Sequence, residues 1–211
     1  MFVDRKDAGQ KIAIKLEKFK DENPIVLPIP RGGIPIAYET IKKFGFEWDL
    51  IIPRKIGLPH NKEIAIGAIS LDGSYLFNER YINMLNISEE YIKAEVSEQI
   101  EEIKRRLNKY KGNDNFPNVK NKTVIIIDDG IATGFTIQVA IASIKKHGAK
   151  KIILAVPVAP HDTISVLEKI IDEVICLLIP HEFHSVGFYY NDFKQTTDDE
   201  IFSLICELNK R

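Results

Sequence analysis

Residues 124–136, VIIIDDGIATGFT, constrain this chain more than any other stretch. Val124, Ile125, Ile126 and Ile127 are all β-branched and run directly into two carboxylates, Asp128 and Asp129. An unbroken β-branched run predicts a strand buried on both faces, as in a parallel sheet. A turn with Gly130, Ile131, Ala132, Thr133 and Gly134 follows, and an amphipathic segment opens at Phe135 and Thr136. In an open α/β sheet, ligands sit at the carboxyl ends of the strands. The start of a helix offers unpaired N–H groups and about half a positive charge, which suits a phosphate. Two anions and a phosphate cradle therefore stand side by side. The pairing fits a ligand with a phosphate and a sugar whose hydroxyls donate to carboxylates.

The rest of the chain alternates helix and strand signals around this stretch. Ala8, Ile12, Leu16 and Phe19 predict a helix over 7–21, stopped by Asn23-Pro24. An apolar strand over 25–29 follows, with Pro28 expected at its end. Arg31-Gly32-Gly33 then precedes a helix over 34–44. Two glycines let a backbone approach a ligand closely and form an anion-binding nest, while Arg31 supplies a planar fork of donors. The plainer alternative is a tight turn with a surface arginine.

A strand is expected over 48–52, ending at Pro53-Arg54-Lys55. After the turn-rich IGLPHNKE, two short strands over 64–70 and 74–77 read as a hairpin joined by Leu71-Asp72-Gly73. Ile92, Val96, Ile100, Ile103 and Leu107 predict a long amphipathic helix over 88–111, with Ser88 as N-cap. Its face bearing Glu98, Glu101, Lys104, Arg105 and Arg106 is expected to meet solvent. Beyond the central stretch, a helix over 136–147 closes at Gly148. A strand over 150–156 is expected to break at 157–160. A helix over 162–170, a strand over 174–179 and a last helix from the Thr197/Glu200 capping box to Leu208 complete the pattern. The alternation predicts a three-layer α/β/α fold with a mostly parallel central sheet, carrying a hairpin and a C-terminal segment over 180–211. A chain of 211 residues suffices for a single domain with a full core, here over about 24–180.

Composition narrows the function classes. With 29 basic against 30 acidic side chains, no basic excess marks a nucleic-acid footprint. Arg105-Arg106 is interleaved with acids, which argues the same way. No apolar run reaches the ~20 residues of a membrane span, and the first residues lack a signal-peptide core. Cys176 and Cys206 lack metal-ligand spacing and sit in apolar periodic contexts, so they read as buried free thiols of a reducing, cytoplasmic compartment. His181 and His184 stand three apart without a third ligand at a clear spacing. Neither G-x-G-x-x-G nor G-x-x-x-x-G-K is present, which argues against dinucleotide-binding and P-loop folds.

The apolar run, the two acids, three intervening positions and Thr133-Gly134 resemble the motif of the type I phosphoribosyltransferases that binds 5-phosphoribosyl-1-pyrophosphate (PRPP). The resemblance implies transfer of the phosphoribosyl group from PRPP, with Mg²⁺, to a nucleobase and release of pyrophosphate. It assigns Asp128 and Asp129 to the ribose hydroxyls and the catalytic centre, and Gly130, Ile131, Ala132, Thr133, Gly134, Phe135 and Thr136 to the 5′-phosphate. Arg31, Gly32 and Gly33 take the place of the pyrophosphate loop, which in the family often carries a strained or cis peptide. The segment over 54–80 lies where the family has a flexible lid, which would bring Arg54 and Lys55 to the pyrophosphate; a solvated basic corner is the alternative. A lid would exclude water from a reactive ribosyl cation.

The C-terminal segment corresponds to a hood over the base, where Phe188, Tyr189 and Tyr190 are candidates for stacking, along with Phe193. Closing the core or a dimer interface is the alternative for these aromatics. Mg²⁺ would bridge ribose and pyrophosphate oxygens, with Asp128 and Asp129 either ligating it or not touching it. A cytoplasmic homodimer is also implied.

The chain departs from the 6-oxopurine enzymes at Ala132, where they carry a third Asp thought to handle the proton on the purine ring. Hypoxanthine or guanine transfer by that route is therefore not expected. The Ala-Thr-Gly version looks more like the adenine and uracil enzymes, and a purine is slightly favoured. Phe135 stands where a small or basic residue is usual, and Glu63 is a candidate general base. Two other functions compete. A regulatory protein that senses PRPP without transferring it should carry a nucleic-acid surface, and PRPP synthesis belongs to longer, duplicated relatives.

Overall fold

A computed structural model describes residues 1–210, apart from the side chain of Glu63. The general-base expectation for Glu63 thus lies outside the described residues. In chain order the elements are α1 (Arg5–Leu16), a 3₁₀ turn (Glu17–Glu22), β1 (Ile25–Pro28), α2 (Gly33–Phe44), β2 (Glu47–Trp48), β3 (Arg54–Leu58), β4 (Asn61–Ile69) and β5 (Tyr75–Phe77). They continue with α3 (Glu79–Met84), α4 (Glu89–Lys111), β6 (Thr123–Ile127), α5 (Phe135–Lys146), β7 (Lys151–Val158), α6 (His161–Leu167), β8 (Glu173–Leu178), a 3₁₀ turn (Val186–Tyr189) and α7 (Asp198–Asn209). The chain gathers into two compact units. One holds Met1–Ile51, Pro117–Gly134 and His147–Arg211, the other Ile52–Phe116 and Phe135–Lys146.

The first unit is built on a five-stranded sheet in the order β2-β1-β6-β7-β8. Every neighbouring pair in it is parallel. All five residues of β6 are buried, as a strand covered on both faces requires. Pro28 is the last residue of β1, in register with Ile127. The chain order turns at this place: β1 leads outward to β2, whereas β6 leads the other way to β7 and β8. The loops after β1 and β6 therefore leave adjacent strands at a switch point.

Several boundaries differ from the sequence expectation for visible reasons. The first helix starts at Arg5, because Asp4 accepts the Asp7 N–H at 2.8 Å as N-cap. It tightens into a 3₁₀ turn that ends at Asn23, which has φ +46°. The strand expected over 48–52 is regular only at Glu47–Trp48. Beyond it the backbone still follows β1, through Asp49 N–H to Val26 O at 3.1 Å and Ile51 N–H to Pro28 O at 3.4 Å. Pro157 does not break β7. Its neighbours Val156 and Val158 stay paired with Cys176 and Leu178 and are fully buried, so packing outweighs one missing donor.

The second unit holds a three-stranded antiparallel sheet, β3-β4-β5, in place of the expected two-stranded hairpin. The strand β3 was hidden in a stretch rich in turn formers. Gly57 sits where its register with β4 slips, and a Cβ there would stand 2.5 Å from Lys62 O. That glycine marks a close backbone approach within a sheet rather than a turn. Asp72 does shape the β4–β5 turn. It accepts Ser74 N–H at 3.1 Å and the Ser74 and Ser143 hydroxyls at 2.8 and 2.7 Å, which ties the turn to α5. Ser88 caps α4 as expected, by accepting Tyr91 N–H. Glu98, Glu101 and Arg105 of its charged face are exposed, as expected, whereas the buried stripe takes in two polar residues, Glu95 and Gln99, in line with Ile103 and Leu107.

Candidate functional site

The loop after β1 begins with a cis peptide between Pro30 and Arg31. Ile29 N–H donates to Ile127 O at 2.9 Å, so the loop leaves its strand directly beside the end of β6. Gly32 and Gly33 fill the space between the two chain segments. A Cβ on Gly32 would lie 1.9 Å from Asp129 Oδ2, and one on Gly33 would lie 2.4 Å from Ile127 O. Side chains are thus excluded from both positions by proximity. The Arg31 guanidinium is partly exposed and stands 3.9 Å from Asp198, in the first turn of α7.

After β6, Asp128 accepts the Asp129 N–H on Oδ1 at 2.8 Å. Asp129 faces Arg5, whose Nε and Nη2 both reach Oδ2 at 2.8 Å. Burial raises the Asp128 carboxyl well above the ordinary range, and the neighbouring Asp129 charge adds to the rise. Burial raises Asp129 too, but Arg5 opposes it, so the proton-holding tendency of the pair is concentrated at Asp128. The loop then passes through Gly130 at φ +154°. Ile131 N–H is taken by Val158 O at 2.9 Å, and Ala132 O accepts the Thr163 hydroxyl at 2.7 Å. Ala132 and Thr133 are exposed, Gly134 has φ +75°, and Phe135 and Thr136 open α5. A first helical turn leaves its N–H groups without intrahelical acceptors, which is what an anion needs.

The C-terminal aromatics divide. Tyr189 and Tyr190 are core residues, and the Tyr189 hydroxyl donates to Glu182 O at 2.8 Å. The Tyr190 hydroxyl donates to Asp129 O at 2.6 Å, and burial raises its pKa. Phe2 and Phe193 pack on Tyr190 with centroids 5.3 and 4.9 Å away. Of the four stacking candidates Phe188 is the exposed one, at 57%, with the His184 ring 4.7 Å off. Arg54 and Lys55 belong to β3 of the second unit. There Arg54 Nε donates to Gln99 Oε1 at 2.5 Å, and burial together with the Arg106 charge holds its pKa below the ordinary guanidinium value.

Arg5 is the residue that sequence reasoning missed. A single arginine among the lysines of an N-terminal helix gives no local signal, and it meets its partner 124 positions away.

The model of the phosphoribosyl transferase domain family matches residues 5–192. A curated Mycobacterium tuberculosis protein, provisionally named a phosphoribosyl transferase, is 36% identical over 206 residues, covering 97% of this chain and 46% of that protein. The chain thus spans about half the length of the curated relatives it matches. A 42-residue stretch, 20% of this chain and 21% of the other protein, is 52% identical to the transcriptional regulator GfcR of Methanosphaera stadtmanae. A crystal structure from Thermus thermophilus superposes with a TM-score of 0.80 at 31% identity, covering 98% of both chains. It shares the mostly parallel central sheet with helices on both sides.

Proposed function

The chain belongs to the phosphoribosyl transferase domain family, and from that premise we propose that it transfers the 5-phosphoribosyl group of PRPP to a nucleobase, a purine in preference to a pyrimidine. The observation that carries the proposal is the meeting of Gly32 with the Asp128–Asp129 pair at the ends of two adjacent strands. In the reaction, the bond from the anomeric carbon to the pyrophosphate oxygen breaks and pyrophosphate leaves with the electron pair. A ring nitrogen of the base supplies the electron pair for the new bond to the anomeric carbon, and its proton passes to the departing pyrophosphate or to solvent. Positive charge develops on the sugar, as in glycoside transfer.

The chain's own groups suit this step. The acidic pair stands where the ribose hydroxyls can donate to a carboxylate, and its charge offsets the developing positive charge. The backbone amides over 132–136, with the Thr133 and Thr136 hydroxyls, receive the 5′-phosphate, since the Ile131 N–H is already taken by Val158 O. The glycine loop and Arg31 receive the pyrophosphate. The donor set also fits Mg²⁺: Asp128 is a hard oxygen ligand with no cation of its own among the described residues. Bound there beside substrate oxygens, the ion would supply charge neutralisation for the leaving pyrophosphate. A cytoplasmic homodimer acting in nucleotide salvage completes the proposal.

The test is pyrophosphate release from PRPP with Mg²⁺, each base offered alone. Release with one base is expected, and Asp128→Asn should slow it ~10²-fold or more. An unchanged rate in that variant would sink the assignment. The short match to a transcriptional regulator favours a second reading, a PRPP sensor without transfer. Tight Mg²⁺–PRPP binding with no release for any base would select it.

A further inference from the structure

The two carboxylates of the acidic pair are held very differently. Asp129 Oδ2 receives two nitrogens of Arg5, and the remaining arm, Arg5 Nη1, donates to Lys194 O at 2.8 Å. The flat face of the guanidinium lies 3.9 Å from the centre of the Phe193 ring. The Arg5 and Asp129 side chains are only 13% and 16% exposed. The same Oδ2 presses against Gly32, and the Tyr190 hydroxyl pins the Asp129 carbonyl. Asp128 forms no ion pair among the described residues; it accepts the Asp129 N–H, and its carboxyl shares a hydrogen bond with that of Asp129.

A largely buried ion pair is a poor source of stability, since removing both charges from water costs about as much as their attraction returns. What such a pair does well is fix one geometry, and the arginine fork does so with rigid, planar donors. Here the fixed geometry lays one carboxylate of the ribose loop on the glycine of the pyrophosphate loop.

We propose that Arg5 is a positioning residue of the phosphoribosyl site: it holds Asp129 as a brace between the two loops and leaves Asp128 as the carboxylate that meets the ligand. The inference rests on the PRPP reading above and divides the work of the acidic pair. It also gives the first turn of α1 and the segment around Lys194 a role in the site, through a single side chain that bonds to Asp129 and to that segment.

The experiment measures Mg²⁺–PRPP affinity, turnover and melting temperature for the wild type, Arg5→Ala, Arg5→Lys, Asp129→Asn and the Arg5→Ala/Asp129→Asn double variant. Binding is measured well below every melting point. Arg5→Ala and Asp129→Asn should each weaken PRPP binding by roughly tenfold to a hundredfold, the range for a charged hydrogen bond left unmade. The double variant should be no weaker than the worse single one, because both remove the same brace. Arg5→Lys should recover part of the loss.

A variant Arg5→Ala that melts lower yet binds PRPP like the wild type would make the pair merely structural and overturn the inference. Losses that multiply in the double variant would overturn it too. If Arg5→Ala does not fold, Arg5→Lys decides: wild-type affinity there refutes the positioning role, and a several-fold loss upholds it. A wild type that binds no Mg²⁺–PRPP would instead refute the phosphoribosyl reading, and the inference with it.

Discussion

Gly32 shows how one residue couples two loops. Its backbone, at φ −65° and ψ −31°, is open to any amino acid. The restriction comes wholly from the Asp129 carboxylate, which Arg5 prevents from moving aside. Gly32→Ala should therefore cost about 1–3 kcal/mol, as overpacking does. In a chain of this size each kcal/mol lowers the melting temperature by about 2–4 °C. PRPP affinity should fall at least ~10-fold, since the added methyl turns Asp129 off the loop. Calorimetric melting and titration with Mg²⁺–PRPP check both numbers. Wild-type behaviour would show that the loop and Asp129 part freely in solution.

At the scale of elements, α4 carries its charges in a pattern with a measurable consequence. Glu102 accepts Arg105 Nε and Nη2 and Arg106 Nε at 2.6 to 3.0 Å. The Arg105 hydrogen bond, helped by Arg106 and opposed by burial, lowers the Glu102 pKa to about 2. A carboxyl depressed in the folded state stabilises it above the unfolded pKa, and the gain is lost as pH falls through the folded value. Glu102→Gln should lower stability at pH 7 by about 0.5–1 kcal/mol, the size of a well-aligned but solvent-screened pair. The difference should shrink between about pH 4.5 and pH 2. Urea melts at pH 7, 4 and 2.5 read it directly, and a difference constant across that range would refute the assignment. The α7 capping box is of the same local kind: Thr197 and Glu200 satisfy each other's backbone amides, as the sequence pattern predicted.

For the whole molecule, the proposed ligand is itself a stability probe. A ligand that binds only the folded state stabilises it by about 2.7 kcal/mol at a hundred times its Kd. With Mg²⁺ present, PRPP at that level should raise the melting temperature by roughly 5–10 °C. Chelating the Mg²⁺ should abolish most of that shift, because the pyrophosphate charge is then left uncompensated at the acidic pair. A shift that ignores the chelator would place PRPP away from Asp128. The three strands over 54–77 form a compact body with α4 and α5, so changes there, such as at Asp72, are best followed by hydrogen exchange within that unit.

What the amino-acid order determined by itself is everything that local chemistry encodes. The β-branched run became the central buried strand, the Asp pair fell at its carboxyl end, the Arg31-Gly32-Gly33 loop followed the neighbouring strand, and Ser88 and Thr197 capped their helices. Each signal spans a few residues and acts through backbone geometry. Packing decided the rest. Pro157 stays inside a strand because its flanks are paired and buried. The turn-rich stretch after Pro53 becomes β3 because β4 takes its hydrogen bonds. Tyr189 and Tyr190 join the core instead of a base platform, and Arg5 finds Asp129 across 124 positions. Contacts between residues so far apart leave no period or motif in the order of residues. They exist only once the strands and helices have set the distances.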